Sequence, residues 1–252
     1  MIVAHRGASD DAPENTLEAF HLAWSQNADA IEGDFRLTKD GQIVCIHDQE
    51  TSRTCGEKLI VSESTYAELS QLDASKHFKG DLAPQSIPLL SEVFKTIPNN
   101  KGIYIEIKCG PEIVPTLINW IVNSNLRKEQ VSIIAFDNQV IKAFKSIAPH
   151  IKAHWLYDVK EPVSSHELLD SLRDIKADGL GSNNKNSQEL VNSITKAGFD
   201  TLGIFWGKPI NSASIMNLYF PVYCFWLNQE SRFLNQFCGV PNPISGIKIY
   251  TK

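Results

Sequence analysis

Apolar residues along the chain recur in two alternating rhythms. Ile2 to Ala4 reads as a short buried strand, and Leu17, Phe20 and Trp24 fall at i, i+3 and i+7, one face of a helix. Asn15 or Thr16 can cap that helix. The chain returns to strand at Ala30–Phe35 and again at Gln42–Ile46. The Lys39-Asp40-Gly41 turn signal between them predicts a hairpin. Residues 49–88 break the rhythm and read as an insertion after the third strand, where Thr65 and Glu68 form a capping box. Leu89 to Ile97 is predicted helical and ended by Pro98.

The alternation then resumes. Strands are predicted at Gly102–Lys108, Val131–Phe136, Lys152–Tyr157, Ala177–Leu180 and Thr201–Trp206. Helices fall between them: 113–122, Asn138–Ile147, one capped by Ser164 with Glu167, and Gln188–Ala197 with Gly198 placed to end it. About eight strands, most separated by helices, suit a (β/α)8 barrel, with a doubly wound open sheet as the alternative. No GxGxxG follows a strand, which removes support for a dinucleotide fold. The last 45 or so residues hold an aromatic run at 219–226 and a Pro-rich loop at 239–243, and yield no clear closing unit. That run reads best as core, with an interface or a lipid contact as alternatives, and a homo-oligomer stays open.

Composition narrows the classes. The 252-residue chain is 42% hydrophobic and 21% charged, ordinary for a globular protein. A net charge of −5 argues against a broad nucleic-acid surface. The five scattered cysteines form no CxxC pair or zinc pattern, which suggests reduced thiols and a cytoplasmic location. No signal-peptide pattern opens the sequence, and no apolar run reaches the ~18 residues of a spanning helix.

Against this background the charged residues inside apolar strands stand out. Glu32 and Asp34 sit two apart, so on a strand both project to one face. Taken alone such a pair is more often on the surface. But His5-Arg6 follows the first strand, His47 ends the hairpin, and Glu106 and Lys108 share a face of another strand. Charged groups are rarely buried unless paired or metal-bound. Three carboxylates fit a hard cation, Ca2+ or Mg2+, and the nearby cations fit a phosphate substrate. Two histidines on separate strands can act as acid and base, so the parts suit metal-assisted phosphodiester cleavage.

His5-Arg6-Gly7, Pro13-Glu14-Asn15-Thr16, Glu32-x-Asp34, Thr38-Lys39-Asp40-Gly41 and His47-Asp48 resemble, in order and spacing, the glycerophosphodiester phosphodiesterase family. Glu106-Ile107-Lys108 and Ala135-Phe136-Asp137 resemble its next motifs. The resemblance implies a TIM barrel with a small subdomain inserted after the third strand, and it implies that the link from Asp34 to Ile43 is a crossover without its helix. It implies hydrolysis of glycerophosphodiesters, such as glycerophosphocholine and glycerophosphoethanolamine, to sn-glycerol 3-phosphate and an alcohol. By motif match it implies Glu32, Asp34 and Glu106 as metal ligands and His5 and His47 as the acid–base pair. Arg6 and Lys108 would hold phosphate, Glu14 and Asn15 would order the first loop, and Trp206 is a candidate substrate-side aromatic. A lysophospholipase D-type enzyme on the same parts, and a non-catalytic phosphodiester-binding barrel, are the competing expectations.

Overall fold

The computed structural model describes residues 1–80, 82–158, 164–182, 188–204 and 222–225. Strand β1 (Ile2–Ala4) leads to helix α1 (Leu17–Ser25), strand β2 (Ala30–Leu37) and strand β3 (Ile43–Cys45). Short helices α2 (Ser52–Cys55) and α3 (Tyr66–Leu69) follow, then α4 (Leu90–Thr96). Regular alternation comes next: β4 (Gly102–Ile107), α5 (Val114–Val122), β5 (Val131–Ala135), α6 (Asn138–Ile147), β6 (Lys152–Tyr157), α7 (Ser165–Asp174) and β7 (Gly179–Ser182). The series ends with α8 (Gln188–Lys196), β8 (Asp200–Ile204) and β9 (Val222–Phe225).

The nine strands form one sheet, and all but β3 close into a ring of parallel pairs, β1-β2-β4-β5-β6-β7-β8-β9 and back to β1. This is the (β/α)8 barrel. Period-two alternation splits its apolar residues into two clusters on either side of the wall. Val3, Ala30, Tyr104, Ile134, Leu156 and Leu202 pack together inside. Ile31, Phe35, Ile103, Ile105 and Ile133 point outward, into a core shared with Phe20 of α1 and Phe144 of α6. The inner rows continue upward from the apolar layer. The row through Val3 reaches His5, the row through Ala30 reaches Glu32 and Asp34, and the row through Tyr104 reaches Glu106. Burying these carboxylates is therefore a consequence of register, not of composition.

Two local readings change. The link between Asp34 and Ile43 is a hairpin, not a helix-less crossover: β3 pairs antiparallel with β2, Phe35 against Cys45 and Leu37 against Ile43. Gly41, at φ +76°, makes the turn, donating to the Thr38 carbonyl at 3.0 Å. The barrel closes without β3, and β9 from the aromatic run supplies the eighth parallel strand. No helix pattern precedes that run in the sequence, so nothing local marks it as the closing element. Trp206, the rest of 219–226 and the 239–243 loop lie outside the described residues.

Residues 49–88 pack as a small cluster of their own, Cys55, Val61, Leu69, Leu72 and Ile87 against Val44 of β3 and Ile46 just after it. The Thr65–Glu68 capping box forms and holds α3. No helix among the described residues is long and apolar enough to cross a membrane.

Candidate active site

The site sits at the carboxyl ends of the parallel strands, directly above the inner apolar layer. In β2 and β4, Asp34 lies opposite Glu106 in register. Glu32, Asp34 and Glu106 are each at most 2% exposed. Each offers a carboxylate oxygen, and these oxygens lie within 4.8 Å of one another. Burial, then the charges of Asp34 and Glu106, push the Glu32 carboxyl well above its usual range. Burial and Asp34 push Glu106 up to about 7, against the pull of Lys108. Burial acts upward on Asp34 too, but Arg6 and Lys108 outweigh it and hold that carboxyl below its ordinary value. One member of the trio thus keeps its charge easily and two keep it at a cost.

The first loop is shaped to deliver cations and an amide to this trio. Arg6 adopts a left-handed backbone (φ 57°), Gly7 likewise (φ 79°), and Asn15 again (φ 59°). A Cβ on Gly7 would lie 2.6 Å from the Ala19 carbonyl carbon, so only glycine lets the loop lie on α1. The Arg6 amide donates to Glu32 Oε2 at 2.9 Å, and its guanidinium meets Asp34 at 3.1 Å and Glu14 at 3.0 Å. Thr16 is the helix cap, its hydroxyl accepting from Ala19 N–H. Asn15, relieved of capping, turns to Asp34 instead. Its Nδ2 donates to Asp34 Oδ2 at 2.8 Å while its Oδ1 accepts from the Asp34 amide at 3.1 Å. Asn15 therefore fixes the rotamer of Asp34. Two non-glycine residues in this region of backbone space store strain at one loop.

On the other side, Lys108 bonds Glu106 at 2.7 Å and faces Asp34 at 3.6 Å. His5 Nε2 stands 3.9 Å from Glu32 Oε2. Burial and the neighbouring Arg6 push its imidazole down to about 3, so His5 is neutral across the physiological range. His47 follows β3 at the same mouth, where the charges of Asp34, Arg6 and Lys108 all act on it. Its Nδ1 bonds Asp48 at 2.6 Å. Burial lowers its pKa, and Asp34 and Asp48 oppose that.

The structure brings nine of the ten residues singled out from the sequence to one mouth; the tenth, Trp206, lies outside the described residues. It adds Arg53 of α2. Arg53 grips Glu14 with both terminal nitrogens, at 2.7 and 3.0 Å, and donates through Nε to Asp48. It thereby ties the inserted stretch to the carboxylate beside Arg6 and to the one beside His47. Nothing in the sequence marks this arginine, which sits in a polar segment with no periodicity; only the fold brings its partners together. Arg36 adds a second cation, on the same face of β2 as Glu32 and Asp34, with Nε donating to the His47 carbonyl at 2.9 Å.

A model of the glycerophosphoryl diester phosphodiesterase family matches residues 5–235. The chain belongs to this family. A glycerophosphodiester phosphodiesterase of Caldanaerobacter subterraneus subsp. tengcongensis is 40% identical over 162 residues, 62% of this chain and 66% of the relative. A human lysophospholipase D is 33% identical over 126 residues, 48% of this chain and 40% of that protein. The chain therefore spans about two thirds or less of the length of these curated relatives. The crystal structure of glycerophosphodiester phosphodiesterase from Agrobacterium tumefaciens str. C58 has the same barrel, with a TM-score of 0.72 at 25% identity over 88% of this chain and 94% of that one. An Oleispira antarctica phosphodiesterase, solved with the product sn-glycerol-3-phosphate, shares the fold at a TM-score of 0.75 and 24% identity, covering 89% and 92%. Within the family frame, the buried acidic trio is the feature of this barrel that most needs a chemical explanation.

Proposed function

We propose that the protein is a divalent-metal-dependent phosphodiesterase that hydrolyses glycerophosphodiesters, such as glycerophosphocholine and glycerophosphoethanolamine, to sn-glycerol 3-phosphate and an alcohol. The observation that carries this reading is the convergence of three buried carboxylates within 4.8 Å at the mouth of the barrel. Glu32 Oε1 and Asp34 Oδ1 are buried and accept no hydrogen bond among the described residues, Asp34 Oδ1 facing Lys108 Nζ only at ion-pair distance, 3.6 Å. An all-oxygen set with orphaned acceptors fits a hard cation, Ca2+ or Mg2+, held by Glu32, Asp34 and Glu106. When bound, such an ion neutralises charge building on phosphoryl oxygens.

The remaining chemistry belongs to side chains. Arg6 and Lys108 sit beside the trio and bind the phosphate oxygens, which suits the guanidinium and ammonium they present. Asn15 and Glu14 keep Asp34 and Arg6 in place. The environments of the two histidines divide the proton work. His5, buried and beside Arg6, is held neutral and takes a proton from the attacking hydroxyl. Attack by water gives sn-glycerol 3-phosphate and the alcohol directly; attack by the substrate's own glycerol hydroxyl expels the alcohol and leaves a cyclic phosphate, which a water then opens to sn-glycerol 3-phosphate. His47, whose Nδ1 meets Asp48 at 2.6 Å, delivers a proton to the leaving alcohol; Asp48 and Asp34 offset part of the burial that lowers its pKa.

The test is 31P NMR of the full chain with glycerophosphocholine, with and without Mg2+ or Ca2+. Release of sn-glycerol 3-phosphate that stops on chelation supports the reading. Substrate binding without turnover under any metal favours a phosphodiester-binding barrel instead.

A further inference from the structure

Beside the acidic trio, a cleft of about 270 Å³ opens between the ends of β2 and β4 and the inserted stretch. This is near the lower end of the ~300–1,000 Å³ typical of ligand pockets. Lys108, which bonds Glu106 and faces Asp34, is one of its lining residues, so the cleft adjoins the acidic trio. Its lining includes Arg36, Gln49, Val61 and Glu112. The outer wall is a short pairing within the insertion, Glu50 against Ile60, with Val61 N–H donating to the Gln49 carbonyl at 3.0 Å.

The two remaining charges of the cleft are unequal to Lys108. The Lys108 ammonium is taken up by Glu106 and Asp34. Arg36 is half-buried and, among the described residues, enters no ion pair; its Nε is spent on the His47 carbonyl. Glu112 is exposed and, among the described residues, accepts one bond, from Gly110 N–H to Oε1 at 3.0 Å. Arg36 and Glu112 thus line the same small cavity with no ion pair between them among the described residues. An acyl chain would desolvate both without pairing either. A choline head group has no N–H to donate to Glu112 and nothing for Arg36.

Resting on the phosphodiesterase reading, we propose that this cleft is the pocket for the leaving alcohol and selects a zwitterionic head group, one bearing both an ammonium and a carboxylate. The ammonium pairs with Glu112 and the carboxylate with Arg36. Both are charge-assisted bonds, the class that discriminates most strongly against a substrate lacking the partner.

The experiment compares kcat/KM for glycerophosphoserine, glycerophosphoethanolamine and glycerophosphocholine by release of sn-glycerol 3-phosphate. The full chain is measured beside Arg36→Gln, Arg36→Lys and Glu112→Gln. The wild type is expected to prefer the serine ester. Arg36→Gln should lower the serine-to-ethanolamine ratio about tenfold, Arg36→Lys should retain most of it, and Glu112→Gln should lower the ethanolamine-to-choline ratio severalfold. Ratios matter because Arg36 also touches the His47 backbone and its loss can slow every substrate. Turnover with ratios unchanged across the three variants overturns the pocket assignment and leaves the phosphodiesterase reading intact. No turnover of any of the three by the wild type overturns that reading, and the pocket assignment with it.

Discussion

Neutralising Glu106 should separate stability from function. Glu106 is 2% exposed. Burial and the charge of Asp34 raise its carboxyl pKa from 4.5 to about 7. That displacement corresponds to about 3 kcal/mol of destabilisation once the group is ionised. The sign follows from the order in which the two states lose the proton. Below pH 4.5 both the folded and unfolded chains hold it and no penalty exists. As pH rises from 4.5 towards 7 the unfolded chain releases its proton first, so stability falls, and above 7 the full penalty is in place. Glu106→Gln removes the charge at nearly constant shape. In chelator-treated protein the variant should therefore melt higher than the wild type at about pH 8 and nearly level with it at about pH 5. For a chain of this length the gain at high pH is about 6–12 °C, taking ~2–4 °C per kcal/mol. Adding Ca2+ or Mg2+ should raise the wild-type melting temperature at pH 8 and leave the variant nearly unmoved, while the variant's turnover is lost. A variant no more stable than wild type at pH 8, or a gain of equal size at both pH values, would refute the picture of a trio held together against its own repulsion.

Other consequences are as direct. His5→Ala and His47→Ala should each lower kcat by about 10²–10⁴-fold while circular dichroism stays native; a variant with near-normal turnover removes that histidine from the mechanism. Gly7→Ala forces a Cβ to 2.6 Å from Ala19 in a left-handed backbone and should cost at least about 2 kcal/mol in a urea titration. An unchanged midpoint would show that the loop can shift off α1. Arg53→Ala releases Glu14 and Asp48 at a half-exposed site, so kcat should fall about tenfold with little change in melting temperature. A stability loss with normal kcat would make Arg53 a purely structural clasp.

Much of this site is legible along the chain because a parallel strand has a period of two. Once Ala30 faces the barrel interior, Glu32 and Asp34 must follow it, and Tyr104 brings Glu106 in the same way. The strand–helix alternation points to the barrel, and Lys39-Asp40-Gly41 to the hairpin; the expected crossover is wrong because the local turn chemistry prevails and β3 stays outside the ring. What cannot be read depends on contacts distant in sequence. Asn15 has the chemistry of a helix cap, yet a left-handed backbone turns its side chain onto Asp34, nineteen residues away. Arg53 reaches Glu14 across 39 residues. The closing strand β9 is recognisable only by its pairing with β1 and β8.

Crystals soaked in Mn2+, a hard cation whose anomalous scattering reports its position, address the acidic trio without reference to turnover. One anomalous peak should appear within coordination distance of Glu32, Asp34 and Glu106, and it should vanish in Glu32→Gln. A wild-type crystal with no density among these three side chains, or with its ion bound elsewhere in the barrel, would contradict the assignment of a metal centre to this mouth.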